Sequence, residues 1–317
     1  MGERVDLSRF AQLVRERDGF LIMTHCRPDG DTVGSAAALC LILRAMGKSA
    51  YMMANPEITD RYAAYAEGLF APEGFEAGTI TAVDLAAETM FPQGFAGGEV
   101  ELCVDHHGSN TIYAKYALVM PEKAACGEIV LELARELGVR IDKDIADRLY
   151  VAVSTDTGCF MYRNTTAGTH RAAAELIDAG ADFGGLNVKL FRKVSAARLR
   201  LEGLIYGSMK SYYDGRITVA TVTLDMMRSS GAQERDCDDL ASLAGRVQGS
   251  VCSATIRENE NGGCRISLRS GFDVNSSDVC ARFGGGGHPM AAGCAMDCPP
   301  DIARERLVAA IIEEWKK

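Results

Sequence analysis

Four times along this chain an apolar segment stops on a carboxylate or an imidazole. Phe20-Leu21-Ile22-Met23 leads to His25, and Thr79-Ile80-Thr81-Ala82-Val83 ends at Asp84. Val100 to Val104 ends at Asp105-His106-His107, and Ile145 to Ser154 delivers Thr155-Asp156-Thr157-Gly158. Short apolar runs alternating with stretches of helical period predict an α/β fold around a mainly parallel sheet. In such sheets the chemistry collects at the carboxyl ends of the strands, so the four endings predict one edge lined with functional groups. Taken singly, an Asp after a strand is as often a turn or a helix cap. The fourth segment, made of small and apolar residues, reads equally as helix or strand.

The first ending is the most informative. From His25 the chain reads His-Cys-Arg-Pro-Asp-Gly-Asp-Thr-Val-Gly-Ser to Ser35, and Val33 to Met46 has helical period. The motif therefore lies in a strand-to-helix loop. His25, Asp29 and Asp31 fall within seven residues, and the turn formers Pro28 and Gly30 let the loop fold back and aim all three at one point. Carboxylates and imidazole without thiolate are the donor set of Mn²⁺ or Mg²⁺, imidazole favouring manganese.

The bulk properties narrow the function. A chain of 317 residues, 47% of them apolar, is long enough for two domains, each with a core. A net charge of −9 argues against a life on long duplex nucleic acid, whose affinity comes from Lys and Arg. It leaves room for small phosphorylated substrates, because a bound divalent metal reverses the local field. Met1 to Arg17 is charged and lacks a signal-peptide core, and no apolar run approaches the ~20 residues of a membrane span. The eleven scattered cysteines, with no Cys-x-x-Cys pair, fit reduced thiols in the cytoplasm.

In the second half the pattern changes. Leu190 to Tyr213 is helical and mixed in charge, and reads as a connection between domains. The expected division is 1–189, a linker at 190–213, and 214–317. Past the linker, Arg216 to Leu224, Ser250 to Arg257 and Arg265 to Arg269 alternate as strands, with Asn261-Gly262-Gly263 as a turn. This predicts a smaller α+β domain. Its notable feature is Phe283-Gly284-Gly285-Gly286-Gly287-His288. The run lacks Walker or dinucleotide spacing, yet consecutive glycines let backbone amides approach a phosphate, and His288 adds a donor.

Together these residues resemble the DHH phosphoesterase family, in the subgroup that appends a DHHA1 domain. The likeness spans nearly the whole chain: His25 to Ser35, Asp84 by order and strand context, Asp105-His106-His107, Thr155 to Gly158, and Gly284 to His288. The layout is most similar to the branch that degrades short oligoribonucleotides (nanoRNA) and dephosphorylates 3′-phosphoadenosine 5′-phosphate (pAp). The resemblance implies a doubly wound, mainly parallel DHH domain and a dinuclear site, usually manganese. His25, Asp29 and Asp84 would hold one ion; Asp31, Asp84, His106 and Asp156 the other, with Asp84 bridging. Asp105 would orient imidazole, and His107 would face the scissile phosphate as donor or general acid. In the DHHA1 domain Arg269, His288 and the amides of Gly285, Gly286 and Gly287 would clamp the other end of the substrate, in a cleft between the domains.

Four of the five histidines fall inside these motifs; His170 reads as structural. The expected partners are short single-stranded RNA or a small nucleotide, with no membrane and no long duplex, and the family analogy allows a homodimer. A cyclic di-AMP or pApA phosphodiesterase is the alternative with the same site chemistry, and a nucleotide sensor without catalysis is the alternative from another class. A family pyrophosphatase carries a different C-terminal domain, and a Rossmann oxidoreductase needs Gly-x-Gly-x-x-Gly where this chain has Arg-Pro-Asp-Gly-Asp.

Overall fold

A computed structural model describes residues 2–95, 97–237, 240–271 and 273–316. The chain divides into two compact units, Met1–Lys193 and Val194–Lys317. No helix among the described residues is long and apolar enough to cross a membrane.

The first unit is built on a six-stranded sheet: β1 (Glu3–Arg4), β2 (Phe20–Met23), β3 (Ala50–Met52), β4 (Thr79–Val83), β5 (Leu102–Asp105) and β6 (Tyr116–Val119). Its order is β1-β6-β5-β4-β2-β3, and every pairing is parallel. The three strands that lead to His25, Asp84 and Asp105 are thus adjacent, with Met23 paired to Ala82 and Val83 to Val104. Their carboxyl ends finish side by side. Alternate side chains serve two cores. Phe20, Ile22, Leu102 and Val104 join the helices in one cluster, while Met23, Ala82 and Cys103 face another that Phe91, Phe95 and Tyr113 help to cover.

The helix Gly30–Ala45 is apolar on nearly every side and is buried accordingly, packed between the sheet and neighbouring helices. Glycine sets its distance from the helix Lys143–Asp156. A methyl group on Gly34 would lie 2.4 Å from the Arg148 carbonyl oxygen, and one on Gly30 would strike the Thr155 side chain at 2.4 Å. This close approach brings Asp31 and Asp156 to the same place. The segment that read as helix or strand is helix, capped by Asp142, which accepts from the Ile145 amide at 2.9 Å.

The second unit carries β7 (Lys210–Tyr212), β8 (Ile217–Val222), β9 (Cys252–Glu258), β10 (Cys264–Ser270), β11 (Gly286–His288) and β12 (Ala291–Met296), ordered β11-β12-β10-β9-β8-β7. All pairings are antiparallel except β8 with β9. β8 is buried at every residue because both its faces are covered. Ile217 and Val219 join the core of the helix Pro300–Trp315, while Ala220 and Val222 meet Leu201 and Ile205 of the helix Ala196–Ser208. Much of the Leu190 to Tyr213 stretch is therefore packed against this sheet as part of the second unit.

Candidate metal centre

Eight side chains converge at the carboxyl edge of the parallel sheet. The structure brings together His25, Asp29, Asp31, Asp84, Asp105, His106, His107 and Asp156. Among the described residues three sets have ligand atoms mutually within 4.8 Å: His25, Asp29 and Asp84; Asp31, His106 and Asp156; and Asp84, His106 and His107. Asp84 and His106 are each shared by two sets.

Each side chain is held by its local structure. Asp29 caps the helix Gly30–Ala45, accepting from the amides of Asp31 (3.0 Å) and Thr32 (3.2 Å). Asp31, one residue into that helix and buried, accepts from Ser35 Oγ (2.9 Å) and from the amides of Cys126 (2.6 Å) and Gly127 (3.0 Å). Those amides open the helix Cys126–Leu137, whose positive end suits a carboxylate. Asp84 sits in the left-handed region at φ +58°, which Asp tolerates better than most residues. That turn points its carboxylate back over the strand ends. Asp156 closes the helix Lys143–Asp156 and is partly exposed.

The imidazoles are oriented through Nδ1. It donates to the Cys26 carbonyl in His25 (2.7 Å), to the Lys123 carbonyl in His106 (3.2 Å), and to Asp105 Oδ1 in His107 (2.8 Å). Fixing the proton there leaves Nε2 as the free donor atom of His25 and His106. His106 Nε2 lies 3.4 Å from Asp84 Oδ1, 3.7 Å from Asp156 Oδ2 and 3.8 Å from Asp31 Oδ2; His25 Nε2 lies 3.7 Å from Asp29 and 3.8 Å from Asp84. His107 differs, because the atom it brings to the cluster, 3.6 Å from Asp84 Oδ1, is the same Nδ1 that is bonded to Asp105. Asp105 is fully buried and takes a second bond, 2.6 Å, from Asn110 Nδ2.

The electrostatics describe a site organised around a positive charge. Burial pushes the carboxyls of Asp31 and Asp84 well above the usual range, and neighbouring carboxylates add to it. Burial also raises Asp156. At His106 burial opposes the charged form, yet Asp31 and Asp156 outweigh it and the pKa rises. Asp84 Oδ1 is buried without a hydrogen-bond partner, an arrangement that costs free energy unless something cationic completes it. Hard oxygen donors, two correctly oriented imidazole nitrogens and an orphaned carboxylate oxygen fit a divalent metal.

The remaining predicted residues lie in the second unit. In the ladder Arg269 pairs with Ala291, and Ala291 with His288. Directly paired residues share a face, so Arg269 and His288 flank Ala291 roughly 9–10 Å apart, two strand spacings. Both are exposed. The glycine run is partly strand. A methyl on Gly285 would lie 2.2 Å from the Gly293 carbonyl oxygen, and Gly287, at φ +146°, would place one 2.7 Å from the Ala291 carbonyl, whereas Gly286 faces open space. Two of the glycines are thus required for β11 to approach β12.

Sequence reasoning missed the supports. Asn55 donates to Thr24 Oγ1 and to the His25 carbonyl, both at 3.0 Å, and Asn110 anchors Asp105. Asn110 stands three residues after His107 in a Gly-Ser-Asn turn, a composition that could have marked it. The Cys126 and Gly127 amides, some ninety residues from Asp31, left no local signal.

Both halves of the chain match known domain families. The profile of the DHH family, N-terminal domain, matches residues 19–153, and that of the DHHA1 domain matches residues 214–317. The bifunctional oligoribonuclease and PAP phosphatase of Thermus thermophilus is 35% identical, over 96% of this chain and 93% of its own. The protein of the same description from Bacillus subtilis is 25% identical, over 88% of this chain and 90% of its own. Among solved structures, an exopolyphosphatase-related protein from Bacteroides fragilis superposes with a TM-score of 0.84 at 24% identity, covering 98% of this chain and 96% of that one. That likeness shows a shared fold.

Proposed function

Since this chain belongs to the DHH family and carries a DHHA1 domain, we propose that it is a divalent-metal phosphoesterase hydrolysing short oligoribonucleotides and pAp. The observation that carries the reading is the cluster itself: carboxylates and imidazole Nε2 atoms gathered around the unpartnered Asp84 Oδ1. His25, Asp29 and Asp84 would hold one ion and Asp31, Asp84, His106 and Asp156 a second, with Asp84 common to both. Bound there, Mn²⁺ or Mg²⁺ would lower the pKa of a water and neutralise the developing charge on phosphorus oxygens.

The chain's own residues supply the rest. Asp105, locked by Asn110, keeps the His107 proton on Nδ1 and fixes the ring. The Asp105 hydrogen bond raises the His107 pKa against the opposing effect of burial. His107 can therefore present Nε2 as a charged donor to a phosphoryl oxygen or protonate the departing oxygen. Arg269 and His288, with Ala291 as a small floor between them, would hold a second anionic group, Arg through its fork. The amides of Gly285 to Gly287 would assist. Eleven scattered cysteines with no Cys-x-x-Cys pair suit the cytoplasm as its compartment.

The test is turnover by metal-stripped and Mn²⁺-loaded protein on pAp, a pentaribonucleotide and cyclic di-AMP. Hydrolysis of the first two, with cyclic di-AMP spared, is the expected result. Preferential opening of cyclic di-AMP assigns the chain to the signalling phosphodiesterases, and no turnover on any substrate refutes catalysis.

A further inference from the structure

The loop after Asp156 displays two large apolar side chains that no packing requirement explains. Met161 is 78% exposed and Tyr162 58%. Their display is not the accident of a loose loop. Gly158, Cys159 and Phe160 adopt φ of 55°, 57° and 65°, a left-handed run that L-residues resist. The amides of Met161 and Tyr162 both donate to the Thr157 carbonyl at 3.0 Å, and that of Cys159 to Ser154 at 2.7 Å. Asn164 Nδ2 ties the far end to the Asp156 and Ala124 carbonyls, each at 3.1 Å. Phe160 turns inward and stacks on His170, with 5.3 Å between centroids and 24° between planes. The loop is thus hydrogen-bonded at both ends, with one aromatic packed inward and two neighbours turned out.

The Tyr162 side chain packs close to the chain segment that follows Asp156. Its ring lies over Gly158, where a methyl group would sit 2.4 Å from ring carbon. Gly158 is two residues beyond Asp156, so this half-exposed ring stands beside the helix end that carries one of the cluster's carboxylates. Building on the phosphoesterase reading, we propose that Tyr162, with Met161 beside it, is a stacking platform for the nucleobase of the nucleotide whose phosphate occupies the Asp84–His106 cluster. A base joined to that phosphate through one sugar is the part of such a substrate with an apolar face. Every base has a π-face, so an aromatic platform accepts mixed sequence, as an enzyme for short RNA of any composition needs. The polarisable Met161 thioether adapts to different bases.

The experiment compares wild type, Tyr162→Ala, Tyr162→Phe and Met161→Ala in Mn²⁺. Turnover is measured on a 5′-phosphorylated diribonucleotide and on its counterpart with abasic sugars, and Kd on the phosphorothioate dinucleotide. Tyr162→Ala is expected to raise KM and Kd about 5- to 150-fold, the usual worth of one aromatic stack, and Tyr162→Phe to stay within a few-fold of wild type. On the abasic substrate wild type is expected to show the raised KM already, with Tyr162→Ala adding nothing. A Mn²⁺-induced rise in Tm equal to that of wild type verifies that the cluster is intact in each variant. Unchanged Kd in Tyr162→Ala, or an equal loss on abasic and normal substrates, overturns the platform while turnover leaves the phosphoesterase reading standing. The expected change in Kd without turnover refutes that reading and keeps the platform. Dissociation of a dimer by Tyr162→Ala with unchanged Kd assigns the patch to a second copy and overturns the platform.

Discussion

Replacing Asp84 with asparagine should make the metal-free protein more stable while removing its response to metal. Asp84 is buried, carries an unpartnered Oδ1 and stands in a field of other carboxylates. Asparagine keeps the shape, removes the charge and tolerates the left-handed φ of +58°, so no backbone penalty masks the effect. Its side-chain amide keeps a neutral polar group within reach of His106 Nε2, which lies 3.4 Å from Oδ1. Relieving one buried unsatisfied group is worth about 1–3 kcal/mol, more where it is charged. In a unit spanning Met1–Lys193 each kcal/mol moves Tm by about 2–4 °C. The metal-stripped Asp84→Asn protein should therefore melt about 2–12 °C above wild type by scanning calorimetry. Wild type should in turn gain about 2.7 kcal/mol from Mn²⁺ at a hundred times Kd, and Asp84→Asn little or none. A metal-free variant that melts at or below wild type would refute the argument from unpaired charge. A variant that keeps the full Mn²⁺ shift would refute Asp84 as the shared ligand.

Other perturbations separate the parts of the account. Gly34→Ala should destabilise by about 1–3 kcal/mol in urea titration, because its methyl meets the Arg148 carbonyl and the Ala152 amide, which are backbone and cannot swing away; wild-type stability would contradict the close helix approach. His107→Ala should lower kcat about 10²- to 10⁴-fold and leave the Mn²⁺ shift in Tm intact, since its role is the proton and not the ion. Arg269→Ala and His288→Ala should each raise KM for pAp about 10- to 150-fold, the worth of a charge-assisted hydrogen bond, with little change in metal affinity. Seven of the eleven cysteines are buried, and burial pushes Cys40 to about 11 and Cys103 and Cys252 to about 12. An aromatic disulfide reagent should accordingly titrate no more than four thiols quickly in the folded protein and all eleven in denaturant.

Much of the first unit could be read in advance because its signals are local. The runs at Phe20–Met23, Thr79–Val83 and Leu102–Asp105 are short and almost wholly apolar or β-branched, as parallel buried strands are, and each leads to a polar residue of the site. Their adjacency is what turns three separate endings into one site. His25, Asp29 and Asp31 lie in one tight loop, so their meeting follows from turn chemistry, whereas Asp84 had only strand order to mark it. What fixes these groups is non-local and was invisible. Asp31 is held by amides of a helix that starts at Cys126, and Gly34 matters only because Arg148 is its neighbour in space. Tyr162 looked like an ordinary loop residue, since its exposure and its contact with Gly158 depend on a left-handed run that composition does not announce. The glycines at 285 and 287 suggested phosphate binding from density alone; their tight packing against β12 required the register of the sheet.

The most direct test of the two-ion site is turnover of a pentaribonucleotide as Mn²⁺ is added in equivalents to the stripped protein. The account expects no turnover without metal and a rate that rises until two ions are bound per chain, with Asp84→Asn inactive throughout. Full activity at one equivalent, or activity that survives complete removal of metal, would contradict it.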